Sequence, residues 1–385
     1  MKNLNDNLVV FRCDSSLKIG TGHVMRCITF AKELALIGYE VVFLCRSYEG
    51  NLIHLLKESF TVLILENNYL ENKNDNLLKG KDIYENWLGC SQAEDAENCI
   101  RLIKDNSLGF INLLVIDHYS LNELWENHIK DFLKEENDPS EVTKIFVMDD
   151  LAERNHNCDY LVDQTFLRNE KEYRPYVNSN CQLLLGTDYA ILRKEFKEVR
   201  EKSLKRKSDC KNKNVEKILI YLGSFYDLNI INIIFKSISN ISSSKNIEVD
   251  FISQVGKEKI KFIKQRFIKN FKQLNTFNFV ENIADKIYQA DLCIGAAGSS
   301  SWERCTLGCP TIAIITDENQ KAIGENLSIK NVAKVIDLKD NFERNFCEAL
   351  ERLIFDNMKR YNLHKSSFKI CDGEGIRRLI EVLKQ

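Results

Sequence analysis

KIGTGHVMRC, residues 18–27, places two glycines, a histidine and two basic residues within ten positions. An apolar run, VVF at 9–11, precedes it, and VMRCITFAKELALIGYE follows with helical periodicity. The stretch admits three readings: a phosphate cradle, a catalytic base presented at a helix start, or a tight turn that needs glycine. A triphosphate-binding loop would end in G-K-[ST], which is absent here. A dinucleotide fingerprint needs a third glycine where Met25 stands. What remains is a strand, a loop beginning Asp14-Ser15-Ser16, a G-x-G turn at Gly20 and Gly22, and His23 opening a helix. Val24, Ile28, Ala31 and Ala35 then fall on one helix face. An imidazole at the rim of an α/β sheet is placed as a general base should be. The plainer reading is that the glycines permit a turn and His23 caps the helix. These residues alone do not separate the two.

The same strand-then-helix rhythm recurs along the 385 residues. Apolar runs stand at 8–11, 40–45, 110–117, 144–150, 217–223, 249–253, 291–298 and 311–316, each followed by a helical segment. Runs apolar on both faces and alternating with helices predict parallel sheets covered on each side. Two such series predict an α/β protein of two doubly wound, Rossmann-like domains facing a central cleft. Ligand is expected at the carboxyl ends of the strands. The charged stretch 197–216 is read as a linker between a first domain at 1–196 and a second at 217–385. Its lysines suit a solvated helix end better than a nucleic-acid arm. The polar stretch 65–86 reads as a surface loop.

Lys plus Arg (54) against Asp plus Glu (56) leaves a net charge of −2, so no global field favours nucleic acid or membrane. The 13 cysteines include no C-x-x-C pair and no zinc-spaced cluster with histidine, which suggests reduced, mostly buried thiols. The N-terminus MKNLNDN lacks an apolar signal core, and no run approaches the ~18 apolar residues of a membrane span. A cytoplasmic monomer without metal or cofactor is the expectation.

GAAGSSSWERCTLGCPTIAI, residues 295–314, repeats the strand–loop–helix form in the second half. Gly298, Ser299, Ser300 and Ser301 would offer backbone N–H groups and hydroxyls to a diphosphate, with no basic side chain required. Ser300-x-x-Glu303 reads as a capping box, and Glu303 could equally accept hydrogen bonds from a ribose diol. After the next strand, Asn319 and Gln320 would face the ligand.

Together these stretches resemble the PseG family of UDP-2,4-diacetamido-2,4,6-trideoxy-β-L-altropyranose hydrolases, relatives of the MurG-type GT-B glycosyltransferases. The resemblance runs from FRCDSSLKIGTGHVMRC through WLGCSQAEDAENC (87–99), VIDHYSL (115–121) and VMDDLAERNHNCDYLVDQ (147–164). It continues through LLLGTDYAILRKEF (183–196), the Gly298 turn and the DENQ segment to DGEGIRR (372–378). It implies that His23 activates water, Tyr119 lines the sugar site and Asn319, with Gln320 beside it, contacts the substrate. It also implies that Glu303 holds the ribose and the 298–301 turn the diphosphate, with Gly223 beside the nucleotide. Asp14 would orient His23 or bind the sugar. Asp117 and His118 read as structural. Asp149 and Asp150 look paired, but neighbouring strand residues point to opposite faces, so a shared glycosidase-like pair is not expected. One departure stands out. Where the family has G-G-[ST]-D-P-x-N, this chain has YLGSFYDLN, with Ser224, Phe225 and Tyr226 before Asp227.

The implied reaction is metal-independent attack of water at the anomeric carbon of a UDP-sugar, with inversion, in pseudaminic acid biosynthesis. A GT-B transferase passing the sugar to an acceptor, and a nucleotide-sugar-binding protein without turnover, are the alternatives.

Overall fold

The apolar runs become the inner strands of two parallel sheets. The computed structural model describes residues 7–66, 84, 86–223, 225–253 and 256–385. The first sheet holds β1 (Leu8–Cys13), β2 (Glu40–Arg46), β3 (Thr61–Leu65), β4 (Ile111–Asp117), β5 (Lys144–Met148), β6 (Tyr160–Asp163) and β7 (Gln182–Leu185). Its order is β3-β2-β1-β4-β5-β6-β7. The second holds β8 (Lys217–Tyr221), β9 (Glu248–Ile252), β10 (Gln273–Phe277), β11 (Leu292–Ala296), β12 (Thr311–Ile315) and β13 (Lys334–Asp337), ordered β10-β9-β8-β11-β12-β13. Strand order reverses beside β1 in one sheet and beside β8 in the other. Ligands bind such sheets outside the carboxyl ends at that reversal.

Side-chain alternation explains why the strands are apolar throughout. Val9, Phe11 and Cys13 of β1 join one core with Phe43, Val115, Phe146 and the helix Gly22–Leu36. Leu8 and Val10 join another with Leu44, Leu114 and Trp125 of the helix Glu123–Glu136. Each fully buried Ile, Leu or Phe contributes roughly 1.5–3 kcal/mol of transfer free energy. Val24, Ile28 and Ala31 are buried as expected, but Ala35 is exposed and Leu34 completes that face.

The described residues of Met1–Gln164, with Arg168–Ile191 and Ile376–Gln385, form one compact unit; Thr165–Leu167 and Leu192–Gly375 form the other. These limits differ from the sequence reading at both ends of the second unit. The expected linker at 197–216 is mostly the helix Lys194–Ser208, which buries Phe196, Ser203 and Lys207 within the second unit. The Ser203 hydroxyl donates to the Leu307 carbonyl at 2.7 Å. Three buried positions on one face suffice to dock a helix whose other faces are charged. The last helix, Gly375–Leu383, returns to the first unit, where Ile376 and Leu379 enter the core. An amphipathic stripe says that a helix docks, not on which sheet. Most of the loop expected at 65–86 lies outside the described residues, as does Ser224.

Candidate functional site

At the carboxyl edge of the first sheet, the loop after β1 is a tight turn. The Ser16 hydroxyl accepts from the N–H groups of Lys18 and Ile19 at 3.1 and 2.9 Å, and Gly20 N–H donates to the Ser16 carbonyl at 2.9 Å. Gly20 has φ of 80°, a conformation that favours glycine. Gly22 opens the helix, and a Cβ there would meet nothing within 4 Å.

His23 is buried, and its Nδ1 lies 2.6 Å from Asp117 Oδ1. Asp117 ends β4, directly beside Cys13 of β1 in the sheet register. Arg26, one helical turn after His23, donates to both Asp117 oxygens at 2.6 and 2.7 Å. Burial pushes the Asp117 carboxyl up, but Arg26 and then His23 outweigh it and hold the group well below the usual carboxylate range. An ionised Asp117 accepts the Nδ1 proton, which leaves the Nε2 lone pair to take a proton. Arg26 also reaches Asp150 at 2.5 Å. Two carboxylates against one guanidinium leave one negative charge, which an imidazolium formed on His23 would balance.

Aromatic rings wall this histidine. Tyr119 packs edge-on at 4.6 Å between centroids and Trp87 at 6.1 Å, while Trp87 stacks on Tyr119 at 5.7 Å. The Tyr119 hydroxyl donates to Asp150 at 2.9 Å. Asp149 and Asp150 part company, as alternation requires. Asp149 is buried with Arg154 and the Tyr173 hydroxyl, whereas Asp150 is half-buried on the His23 side.

Asp14 does not orient His23. Its carboxylate is fully buried, held by Arg12 at 2.8 Å, by the Arg46 N–H at 2.7 Å and by His118 at 3.3 Å. Burial pushes its carboxyl up, but Arg12 and His118 hold it well below the ordinary range. Arg12 and Arg46 also grip buried Asp95, so this network braces the strand ends beneath the site. Of the two acidic positions weighed, the one read as structural, Asp117, holds the imidazole.

In the second unit, β11 runs into the turn at Gly298 and Ser299, and a short helix begins at Ser300. The expected capping box is not formed. Ser299 is the N-cap and makes no side-chain cap bond. The Ser300 and Ser301 hydroxyls instead accept from Arg304 at 2.9 and 3.0 Å, and Arg304 also donates to the Ala296 carbonyl at 2.7 Å. Arg304 is 4% exposed; among the described residues its oxygen partners are all neutral and its Nε has none. A buried cation thus sits under a turn thought to need no basic residue. Gln320 lies 3.9 Å from where a Gly298 Cβ would stand, and it accepts from the Thr316 N–H at 3.2 Å. Asn319 precedes it in the same 3-10 turn, half-buried. Glu303 is half-buried, with Arg193 at 3.8 Å; burial raises its pKa and Arg193 offsets part of that. Gly223 follows β8 with φ of 66° and open space at its Cβ.

Sequence reasoning placed His23 and Tyr119 together and grouped Gly298 with Gln320. It missed Asp117, Arg26, Asp150, Trp87 and Arg304. Two of these carried a visible signal: Arg26 at i+3 from His23, and Arg304 at i+4 from Ser300. Among the described residues, no group of three or more His, Cys, Asp or Glu could hold a metal ion, and no helix is long and apolar enough to cross a membrane.

Comparison with known proteins agrees with this architecture. Residues 217–379 match the glycosyltransferase family 28 C-terminal domain. A Campylobacter jejuni protein described as UDP-2,4-diacetamido-2,4,6-trideoxy-beta-L-altropyranose hydrolase is 26% identical over 322 residues, 84% of this chain and 96% of its own. The crystal structure of MurG from Acinetobacter baumannii superposes with a TM-score of 0.64 at 12% identity, covering 98% of this chain and 99% of that one. The structure of LpCGTa in complex with UDP gives 0.59 at 10% identity, covering 98% of each. Both structural likenesses concern the fold alone, which is of the GT-B type.

Proposed function

We propose that this chain is a UDP-sugar-processing enzyme of the GT-B type that hydrolyses a UDP-linked 2,4-diacetamido-2,4,6-trideoxy hexose, in pseudaminic acid biosynthesis. The observation that carries the reading is the His23–Asp117 hydrogen bond of 2.6 Å, with its neutralising Arg26. It leaves Nε2 as a base with an orienting carboxylate behind it. The identity to the Campylobacter jejuni hydrolase supports the substrate class. The UDP bound to LpCGTa supports the nucleotide.

In the proposed reaction, water attacks the anomeric carbon as Nε2 takes its proton. The bond from that carbon to the diphosphate oxygen breaks, and its electron pair leaves with UDP. Attack opposite the leaving group inverts the centre. UDP departs as a stabilised anion, so no carboxylic acid need protonate it. Arg304, beneath Ser300 and Ser301, supplies positive charge to the turn that would hold the diphosphate. Trp87 and Tyr119 offer apolar ring surface to the sugar. Asn319, Gln320 and Glu303 are the proposed polar contacts, and Gly223 leaves room for the nucleotide.

The match to a glycosyltransferase C-terminal domain keeps one second reading, transfer to an acceptor. Incubation of the purified protein with the UDP-sugar in ¹⁸O-water separates the two. Label on the anomeric oxygen, with UDP released and no acceptor present, is the expected outcome. UDP release that requires an added acceptor would mean transfer instead.

A further inference from the structure

We propose that the second unit carries a site for a small oxyanion of phosphate size, at the edge of its sheet opposite the Gly298 turn. Glu216 precedes β8, Asp291 precedes β11 and Pro310 precedes β12, so a cavity that all three line lies at the amino-terminal edge. The Gly298 turn follows the carboxyl end of β11. The cavity measures about 90 Å³. Nucleotide-sized ligands occupy several hundred Å³, so its volume suits one inorganic oxyanion.

Charge argues for an anion. Arg206, Lys207, Lys213 and Arg360 line the cavity, against two carboxylates, Glu216 and Asp291, an excess of two positive charges. Asp291 is already engaged. One oxygen accepts from Arg206 at 2.7 Å, and the other from the N–H groups of Glu216 and Lys217 at 3.0 and 2.9 Å. Lys213 is exposed, with Asp209 at 3.8 Å.

Lys207 and Arg360 are 2% and 1% exposed, and among the described residues neither donates a hydrogen bond to a carboxylate. The Lys207 ammonium donates to the carbonyls of Ile287, Tyr288 and Ala290, which end the helix Ile283–Gln289. Arg360 donates to the carbonyls of Leu353 and Ile354 near the end of the helix Phe342–Phe355, to the Lys213 and Cys210 carbonyls, and to the Asn357 side chain. Helix-end carbonyls account for most of these donors but carry only partial charge. Two buried cations therefore share one cavity with only neutral groups as their direct partners, and four cations there outnumber two carboxylates. The Arg360 Nε is buried with no hydrogen-bond partner among the described residues. Burial lowers the Arg360 pKa, and Cys210, Asp291 and Asp356 offset only part of that. An oxyanion in the cavity would accept from Arg206 and from Lys213 on the rim, and would add negative charge beside the two buried cations.

Inorganic phosphate is the probe, titrated against chloride at matched ionic strength and followed by calorimetry and thermal unfolding. Saturable binding near about 1 mM is expected for phosphate but not for chloride. Arg206→Ser, at a half-exposed position, should weaken phosphate about tenfold, and Arg206→Lys should recover part of the loss. Ser300→Asp, which closes the Gly298 turn to anions, should leave this binding intact. Equal response to chloride, no saturation, or loss with Ser300→Asp but not with Arg206→Ser would each overturn the proposal. Should Arg206→Ser fail to fold, Lys213→Ser on the exposed rim gives the same reading, with a smaller weakening expected.

Discussion

The two carboxyl edges handle buried charge in opposite ways. In the first unit, buried carboxylates are gripped by guanidinium groups: Asp95 by Arg12 and Arg46, Asp117 by Arg26, Asp149 by Arg154. That edge is ion-paired from within and holds one imidazole in a single orientation. In the second unit, the Gly298 turn rests on Arg304, whose oxygen partners are two serine hydroxyls and one carbonyl. Among the described residues its direct partners are all neutral. A pre-paired edge suits proton transfer, whereas a cation without a counter-ion suits recognition of an anion.

If this contrast is right, breaking the first edge should cost rate and breaking the second should cost affinity. The largest effect is expected from His23→Ala, which should lower kcat by about 10³-fold while UDP affinity stays within a few-fold. Steady-state kinetics with UDP titration calorimetry checks this, and retained turnover would remove His23 as the base. Asp117→Asn should follow, lowering kcat by about 10²-fold because the amide no longer fixes the Nδ1–H tautomer. An unchanged kcat would return Asp117 to a purely structural role.

Arg304→Met should sharpen the other side. UDP binding is expected to weaken about tenfold through loss of the buried charge under the turn, as read by calorimetry. Equal loss of free-sugar and UDP affinity would point to general unfolding instead. Glu303→Gln should raise KM a few-fold with little change in kcat, since one carboxylate acceptor becomes a weaker amide.

The smallest effect concerns pH. Burial lowers the pKa of His364, whose Nδ1–H donates to the Gly308 carbonyl at 2.8 Å. The unfolded chain therefore binds that proton more readily. Stability is fully present above about pH 6.5 and declines as pH falls below it toward the folded-state pKa. His364→Asn should flatten that slope in denaturant unfolding at pH 7.5 and 5.5. Buried His118 contributes in the same sense, so part of the slope should remain.

The strands the sequence reveals and those it hides differ in place. Every apolar run named from the sequence falls on an inner strand: β1, β2, β4, β5, β8, β9, β11 or β12. The strands missed are β3, β6, β7, β10 and β13, at or next to the sheet edges. β3, β7, β10 and β13 are half-exposed, so they lack the continuous apolar pattern. β6 is buried but only four residues long.

By itself, then, the sequence determined two parallel α/β sheets, the glycine turn that presents His23, and the Gly298 turn followed by a helix. Local periodicity and turn chemistry suffice for each of these. Only the tertiary structure decided which carboxylate serves His23. Asp14 is nine residues away and Asp117 is 94, yet β4 lies beside β1 and brings Asp117 to the ring. It also decided that Arg304 underlies the serine turn, that the charged segment at 194–208 docks as a helix, and that the last helix closes the first core. Partner choice across a sheet depends on strand order, which no local pattern carries.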